Sequence, residues 1–141
     1  GQGRLVVNGA DGELGQTLAM GCWTPVDRFG REGAGEWTVH ALAADWSEFE
    51  VRQGGAVVGR ARWDLIGAHN AENALAAVLA ARHAGVEPRI GLAALAEFRN
   101  ARRRMEVRGT VRGVTVYDDF AHHPTAIATT LDGLRRRVGA A

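Results

Sequence analysis

The stretch VYDDFAHHPT at residues 116–125 decides the fold class, because a short apolar strand pattern leads into a charged loop and then a helix signal. Pro124 sits where the first turn of a helix tolerates proline. α/β folds place ligands at the carboxyl ends of strands, where this order puts two carboxylates and two imidazoles. Carboxylates accept hydrogen bonds from ribose hydroxyls, and histidines contact phosphate or ligate metals. Asp119, His122 and His123 are therefore candidate functional residues, whereas Asp118 can simply cap the turn.

A second motif, GAHNAENA at residues 67–74, opens a helix predicted over residues 69–83. Asn70 and Asn73 are three residues apart, so both amides lie on one face near the helix amino end, where unpaired backbone N–H groups also point outward. That face offers donors and acceptors suited to the edge of a purine. The alternative is structural: His69 or Asn70 caps the helix and Asn73 is merely exposed. By itself the motif favours the structural interpretation.

A third motif, ARRRME at residues 101–106, concentrates positive charge after the helices. Arginine binds phosphate oxygens in bidentate fashion and stabilises the charge that develops during phosphoryl transfer, which makes Arg103 and Arg104 candidates. The alternative is an exposed basic end of a helix, which the helix dipole favours. Taken alone, the alternative is the better interpretation.

The pattern along the chain predicts an α/β fold in two part-domains, residues 1–105 and 106–141, with the boundary at Met105. The first part begins with a strand at 4–7 and a helix at 13–20 capped by Asp11. A small antiparallel sheet follows within 26–62, with strand segments at 37–42, 47–52 and 56–63, one wet face and a turn at 53–55. A helical hairpin of 69–83 and 90–98 comes next. The second part has strands at 106–110 and 114–118 joined through Arg112 and Gly113, then a helix at 126–138.

Composition narrows the class of protein. The 17 basic and 16 acidic residues nearly cancel, so no overall field recruits nucleic acid or an anionic membrane. The single cysteine, Cys22, excludes an internal disulfide, and we expect it to be buried. We assign the four tryptophans to packing, and Tyr117 and Phe120 to the core. No signal peptide or membrane-length apolar run is present in the sequence, and we expect a cytoplasmic protein.

Together, in this order and spacing, the three motifs resemble the Mur ligase family, with its HNxxN helix, its arginine pair and its strand ending in DD-x-x-HHP. The likeness extends from QTLAMGCW at residues 16–23 to residue 138. Residues 100–106 and 113–127 look most like the branch of the family that joins the L-alanyl-γ-D-glutamyl-meso-diaminopimelate tripeptide to UDP-N-acetylmuramate. The resemblance implies a piece of a three-domain enzyme: the later part of the central ATPase domain and the first strand-helix unit of a Rossmann-like carboxy-terminal domain.

The resemblance also implies a reaction. ATP phosphorylates the muramoyl carboxylate, with Mg²⁺ bridging the phosphates, and the amino group of the murein tripeptide attacks the resulting acyl phosphate. The implied roles are adenine binding by His69, Asn70 and Asn73, contact with the transferred phosphate by Arg103 or Arg104, ribose binding by Asp119, and a place facing the substrate cleft for His122 and His123.

One feature of the family is absent from this sequence. No G-x-x-x-x-G-K-[ST] loop occurs, so the phosphate cradle must lie upstream and we expect the chain alone to be inactive. The opening without methionine also suggests an excised segment. The alternatives are the related UDP-N-acetylmuramate:L-alanine ligase, a non-catalytic nucleotide-binding module, or metal binding by His122 and His123, for which two adjacent histidines are a weak signal.

Overall fold

A computed structural model describes residues 3–139 and confirms the α/β class. Two sheets are present, one of five strands and one of two. The strands are β1 (Leu5–Asn8), β2 (Val26–Gly30), β3 (Trp37–Ala41), β4 (Glu48–Gln53), β5 (Ala56–Arg62), β6 (Glu106–Val111) and β7 (Val114–Asp118). The helices are α1 (Gly12–Ala19), α2 (Ala68–His83), α3 (Pro88–Ala94) and α4 (Pro124–Val138), with a 3₁₀ turn at Leu95–Glu97.

The larger sheet is mixed, which corrects the prediction of a small antiparallel sheet. Its strands follow chain order: β1, β2 and β3 are parallel, whereas β3, β4 and β5 are antiparallel. The antiparallel interpretation is therefore right for β3 to β5 and wrong for the sheet as a whole. The turn at Gly54 and Gly55 is confirmed, since both residues have the positive φ of a tight hairpin.

Strand β2 was missed because a buried charge interrupts its apolar pattern. Asp27 is 5% exposed, and its carboxylate lies 2.7 Å from Arg4 and 3.5 Å from Arg82. A buried carboxylate is tolerated when it is paired in this way. Both partners are distant in sequence, so a local pattern does not reveal them.

Helix α2 supplies one side of the core, as its spacing predicts. Its buried face packs on the sheet, and each large side chain removed from water contributes about 1.5–3 kcal/mol. The central members of the core are Trp37, Val39, Phe49, Val51, Ala71, Ala74, Leu75, Val78, Leu79 and Leu92. The helix follows Gly67, which has φ 91° and offers no side-chain cap, and Gly85 with φ 95° ends it. Neither His69 nor Asn70 is therefore the cap.

Several assignments to the core were wrong. Cys22 is exposed and Trp23 is 95% exposed, because both lie in the loop between α1 and β2. Phe120 is half exposed, and Tyr117 is only partly buried. The Asp11 cap on α1 is confirmed by hydrogen bonds from the Glu13 and Leu14 amides, although none of the residues of α1 is buried.

The second part of the chain begins with the β6–β7 hairpin at Glu106. Its loop residues, Arg112 and Gly113, have φ values of 50° and 81°, the backbone of a tight two-residue hairpin. Pro124 occupies the first turn of α4, as predicted. Among the helices of residues 3–139, none is long and apolar enough to cross a membrane.

Candidate functional site

A cavity of about 810 Å³ lies where the two parts of the chain meet. The first turns of α2 form one wall, the segment from residue 98 to residue 107 a second, and the end of β7 with α4 a third. Of the candidate residues, the structure places these on the cavity wall: His69, Asn70, Asn73, Arg104 and Asp119. Within residues 3–139, Arg103, His122 and His123 are not part of that wall.

The two asparagines of α2 present amides to the cavity from one face, as their spacing predicts. Asn70 Nδ2 donates to the Ile66 carbonyl at 2.7 Å. That bond fixes the orientation of the amide and leaves its oxygen as an acceptor. His69 beside them is half-buried, and this burial is the main cause that holds its pKa below the usual range. The charges of Glu72 and Asp119 oppose the shift, and the charge of Arg104 reinforces it. A neutral imidazole at neutral pH follows.

The segment from Asn100 to Glu106, which we call the arginine loop, has a strained backbone. Arg103 and Met105 have φ values of 59° and 52°, in the left-handed region that residues other than glycine rarely adopt. Each such residue costs on the order of 1–3 kcal/mol, and the surrounding structure must offset that cost. The arginine loop is therefore held by its neighbours.

Four hydrogen bonds hold the arginine loop. Asn100 Nδ2 donates to the Arg104 carbonyl at 2.8 Å, and the Phe120 amide donates to the Arg103 carbonyl at 2.7 Å. The Arg103 amide donates to Glu106 Oε2 at 3.1 Å, and the Met105 amide donates to Asp119 Oδ2 at 2.9 Å.

In the strained backbone of the arginine loop, neighbouring arginine side chains point in different directions. Arg102 and Arg104 reach the cavity wall, whereas Arg103 Nε lies 3.5 Å from Asp118 Oδ1 and its guanidinium stacks 5.2 Å from the Phe120 ring centroid. Of the two arginines named from the sequence, only Arg104 lines the cavity. Arg102 was missed as a site residue, although it belongs to the same basic run.

Asp119 joins the two parts of the chain. Its Oδ2 accepts from the Met105 amide, and its Oδ1 accepts from the Ala121 amide at 2.8 Å. A carboxylate oxygen has two lone pairs, so each oxygen can still accept a further hydrogen bond from a ligand hydroxyl. Asp119 can therefore accept a hydrogen bond from a ligand while it holds the arginine loop.

The two histidines lie outside the cavity, on the exposed loop that precedes α4. His122 Nδ1 is 3.0 Å from the Phe120 carbonyl oxygen, and its ring meets the Phe120 ring edge-on at 5.1 Å. His123 is exposed at the start of the helix. Within residues 3–139 no group of three or more His, Cys, Asp and Glu could hold a metal ion, so the two histidines have no further protein ligands to complete a metal site.

The apolar end of the cavity was not identified from the sequence as part of the site. Trp63 and Phe98 lie there with ring centroids 6.3 Å apart, and Leu95 extends the same surface. Arg137 of α4 also reaches the wall and donates to the carbonyl of Asp64, the residue after Trp63, at 3.3 Å. No local motif marks these residues, since they converge only through the tertiary fold. The cavity wall thus combines aromatic rings, side-chain amides and guanidinium groups.

Comparison with known proteins fits this arrangement. A family model described as Mur ligase, glutamate ligase domain, matches residues 103–140. The UDP-N-acetylmuramate--L-alanyl-gamma-D-glutamyl-meso-2,6-diaminoheptandioate ligase of Escherichia coli (strain K12) is 52% identical over 139 residues, which is 99% of this chain and 30% of that protein. The chain belongs to the Mur ligase family. This Mur ligase segment spans 30% of the length of that relative and 30% of the ligase of the same name from Haemophilus influenzae.

Two further relatives bear on the branch of the family. A solved structure of a murein peptide ligase from Psychrobacter arcticus superposes with a TM-score of 0.71 at 39% identity, covering 97% of this chain and 29% of that one. A UDP-N-acetylmuramate--L-alanine ligase from Synechococcus sp. (strain JA-3-3Ab) is 47% identical over 92 residues, which is 65% of this chain and 18% of that protein. The likeness to the tripeptide branch therefore covers more of the Mur ligase segment than the likeness to this L-alanine ligase.

Proposed function

We propose that the full-length protein containing this segment is an ATP-dependent ligase that joins L-alanyl-γ-D-glutamyl-meso-diaminopimelate to UDP-N-acetylmuramate in peptidoglycan recycling. The observation that carries the proposal is the meeting of Asn70, Asn73, Arg104 and Asp119 on one cavity wall. These four residues come from three different sequence motifs, and folding brings them together. The extent of the likeness to the tripeptide ligase of Escherichia coli supports the choice of substrate.

In this proposal the cavity binds ATP with the base toward the amides and the phosphates toward the arginines. Asn70 and Asn73, with neutral His69 beside them, contact the adenine edge, and Asp119 accepts from a ribose hydroxyl. Trp63 offers an aromatic surface at the same end as the base. The cavity volume of about 810 Å³ is within the range of pockets that enclose small ligands.

The proposed chemistry begins with transfer of the γ-phosphoryl group of ATP to the muramoyl carboxylate, which releases ADP and forms an acyl phosphate. The amino group of the tripeptide then attacks the acyl carbon and loses a proton, and inorganic phosphate leaves as the amide forms. Arg104 suits the first step because a preorganised cation stabilises charge that spreads over the phosphoryl oxygens. Arg102 lines the same end, and Arg103 supports it from outside through Asp118.

Other parts of the site must come from the rest of the protein. The sequence contains no lysine at all, so the lysine of a phosphate-binding loop lies outside this chain. Mg²⁺ bound with the nucleotide would neutralise phosphate charge. Residues outside 3–139 would hold it, since no group of three or more His, Cys, Asp and Glu in that range could hold a metal ion. We assign His122 and His123 to the face of the acceptor cleft. We further propose residues 1–105 and 106–141 as parts of the central and carboxy-terminal domains of a cytoplasmic enzyme.

The test is an assay of ADP release by the full-length protein with ATP, Mg²⁺ and UDP-N-acetylmuramate, offered either the tripeptide or L-alanine. Release that requires the tripeptide supports the proposal, and release that requires L-alanine assigns the protein to the other branch. If neither acceptor promotes release but the protein binds ATP, the non-catalytic nucleotide-binding module takes its place.

The same assay applied to the 141-residue chain tests the importance of the missing phosphate loop. We expect no ADP release above background at any acceptor concentration. Activity in the chain alone would contradict the proposed dependence on residues outside it.

A further inference from the structure

The Glu106 side chain closes the arginine loop from within and holds it in its strained form. We propose that Glu106 is a positioning residue that directs the Arg104 guanidinium toward the transferred phosphoryl group by accepting the hydrogen bond of the Arg103 amide. The inference deepens the proposed ligase function and rests on it. The sequence places Glu106 at the end of the arginine motif and at the start of a strand, and no role of its own was predicted for it.

The geometry connects Glu106 to Arg104 through the backbone. Arg104 lies between the two left-handed residues, Arg103 and Met105, and in this backbone its side chain reaches the cavity while Arg103 turns to Asp118. The left-handed Arg103 presents its amide to Glu106 Oε2 at 3.1 Å. Without an acceptor there, the strained conformation loses one of the bonds that offset its cost.

Glu106 is itself firmly placed, which suits it to position another residue. It is the first residue of β6 and pairs with Asp118 of β7, so its backbone is fixed by the hairpin. The hydrogen bond from the Arg103 amide is the main cause that holds the pKa of Glu106 below its usual range; burial opposes the shift and Arg108 reinforces it. The acceptor is therefore an ionised carboxylate, which forms the stronger type of hydrogen bond.

Glu106 reaches the cavity wall, but contact of its carboxylate with the nucleotide phosphates is unfavourable. Oε2 accepts from Arg103, and Oε1 lies 3.2 Å from Arg108 Nη1. Both oxygens are thus engaged on the protein side. An ionised carboxylate repels phosphate groups, and the nearby Arg108 guanidinium offsets part of the Glu106 charge on the protein side.

The experiment compares variants of the full-length enzyme in the ADP-release assay with the tripeptide. Glu106→Ala removes the acceptor, and we expect kcat to fall on the order of 10- to 100-fold with little change in KM for ATP, since a misplaced transition-state contact lowers kcat. Glu106→Gln keeps an amide oxygen within reach of the Arg103 amide and should recover much of the rate. Arg108→Ala is the matched control: it removes the other bond to Glu106 on the exposed side and should leave kcat unchanged.

The outcomes separate this inference from the proposed function. A wild-type enzyme that releases no ADP overturns both. An active wild type with an unimpaired Glu106→Ala variant overturns the positioning role alone, as does a rise in KM at constant kcat, which would indicate nucleotide contact. Glu106→Gln as slow as Glu106→Ala also contradicts the hydrogen-bond role. If Glu106→Ala does not fold, Glu106→Asp, which keeps the charge but not the reach, takes its place and should be equally slow.

Discussion

The two parts of this chain are held together in different ways. The packed unit, residues 5–97, contains all the largest fully buried side chains of the described residues, among them Trp37, Phe49 and Leu75. In the exposed unit, residues 106–138, Gly133 is the only buried residue of those described. The apolar side chains of its hairpin and of α4 lie largely in solvent. Hydrophobic burial therefore stabilises the packed unit far more than the exposed unit.

The joint between the two units is polar and local. It consists of the Asp119 bond to the Met105 amide, the Phe120 bond to the Arg103 carbonyl, the Arg137 bond to the Asp64 carbonyl and the approach of Gly133 to Gly67. The cavity lies at this joint, so its shape depends on a few contacts instead of on a core. The comparison predicts that equal changes in the two units have unequal effects.

Leu75→Ala in α2 should have the largest effect. Leu75 is 0% exposed in the core, and removing a fully buried leucine side chain costs about 2–5 kcal/mol of the free energy of unfolding. Leu131→Ala in α4 is the matched control, because Leu131 is 58% exposed and its loss should cost less than about 0.5 kcal/mol. Urea unfolding of the 141-residue chain, followed by tryptophan fluorescence, measures both. Equal losses would mean that the apolar face of α4 is covered.

Gly133→Val should open the joint. A Cβ at Gly133 would lie 3.3 Å from Gly67 Cα and 3.4 Å from Gly67 N, so a side chain there pushes α4 away from the start of α2. We expect the free energy of opening of the α4 amides, measured by hydrogen exchange, to fall by about 1–3 kcal/mol.

The control for this effect is Gly15→Val in α1, which carries the same helix-propensity cost. A Cβ at Gly15 meets nothing within 4 Å. Exchange of the α4 amides should therefore remain as in the wild type. Unchanged exchange in Gly133→Val as well would show that the glycine contact does not hold the joint.

The elements of both units could be predicted where their signals are local, and strand β7 and the end of α4 lie where their patterns place them. Helix α2 starts within one residue of its predicted position and ends where predicted, since its apolar spacing and Gly85 act within a few turns. The exception is β2, whose buried Asp27 depends on Arg4 and Arg82. A charge that is neutralised by residues far along the chain cannot be recognised from its own segment.

Most residues of the site could be predicted from the sequence, but the directions of their side chains could not. The motifs selected Asn70, Asn73 and Asp119, which the structure places on the cavity wall, while their roles in binding stay predictions. The distinction between Arg103 and Arg104 depends on a left-handed backbone that arginine rarely adopts, so helix or strand patterns do not indicate it. The aromatic end with Trp63 arises only from tertiary packing.

Asp119→Asn should weaken the joint more than Asp118→Asn, although the two carboxylates are neighbours. Both oxygens of Asp119 accept from backbone amides, and an asparagine must turn its NH₂ group toward one of them. We expect the free energy of opening of the Met105 amide, measured by hydrogen exchange, to fall by about 1–3 kcal/mol. Asp118 makes an ion pair with exposed Arg103 at 3.5 Å, so its change should cost at most about 1 kcal/mol. Equal effects would contradict the role of Asp119 as the link.

The pH dependence of stability should give the smallest effect, and it originates at the same joint. Burial lowers the pKa of His69 from 6.5, so below pH 6.5 the unfolded chain binds a proton that the folded chain does not yet bind. Titration of His69 therefore does not change the free energy of unfolding above pH 6.5. Below pH 6.5 that free energy falls as the pH drops through the folded-state pKa. Urea unfolding of wild type and His69→Gln across this range isolates the effect, since the variant should lose that part of the slope. An identical slope in the variant would mean that the imidazole stays accessible to protons, and that the joint does not bury it in solution.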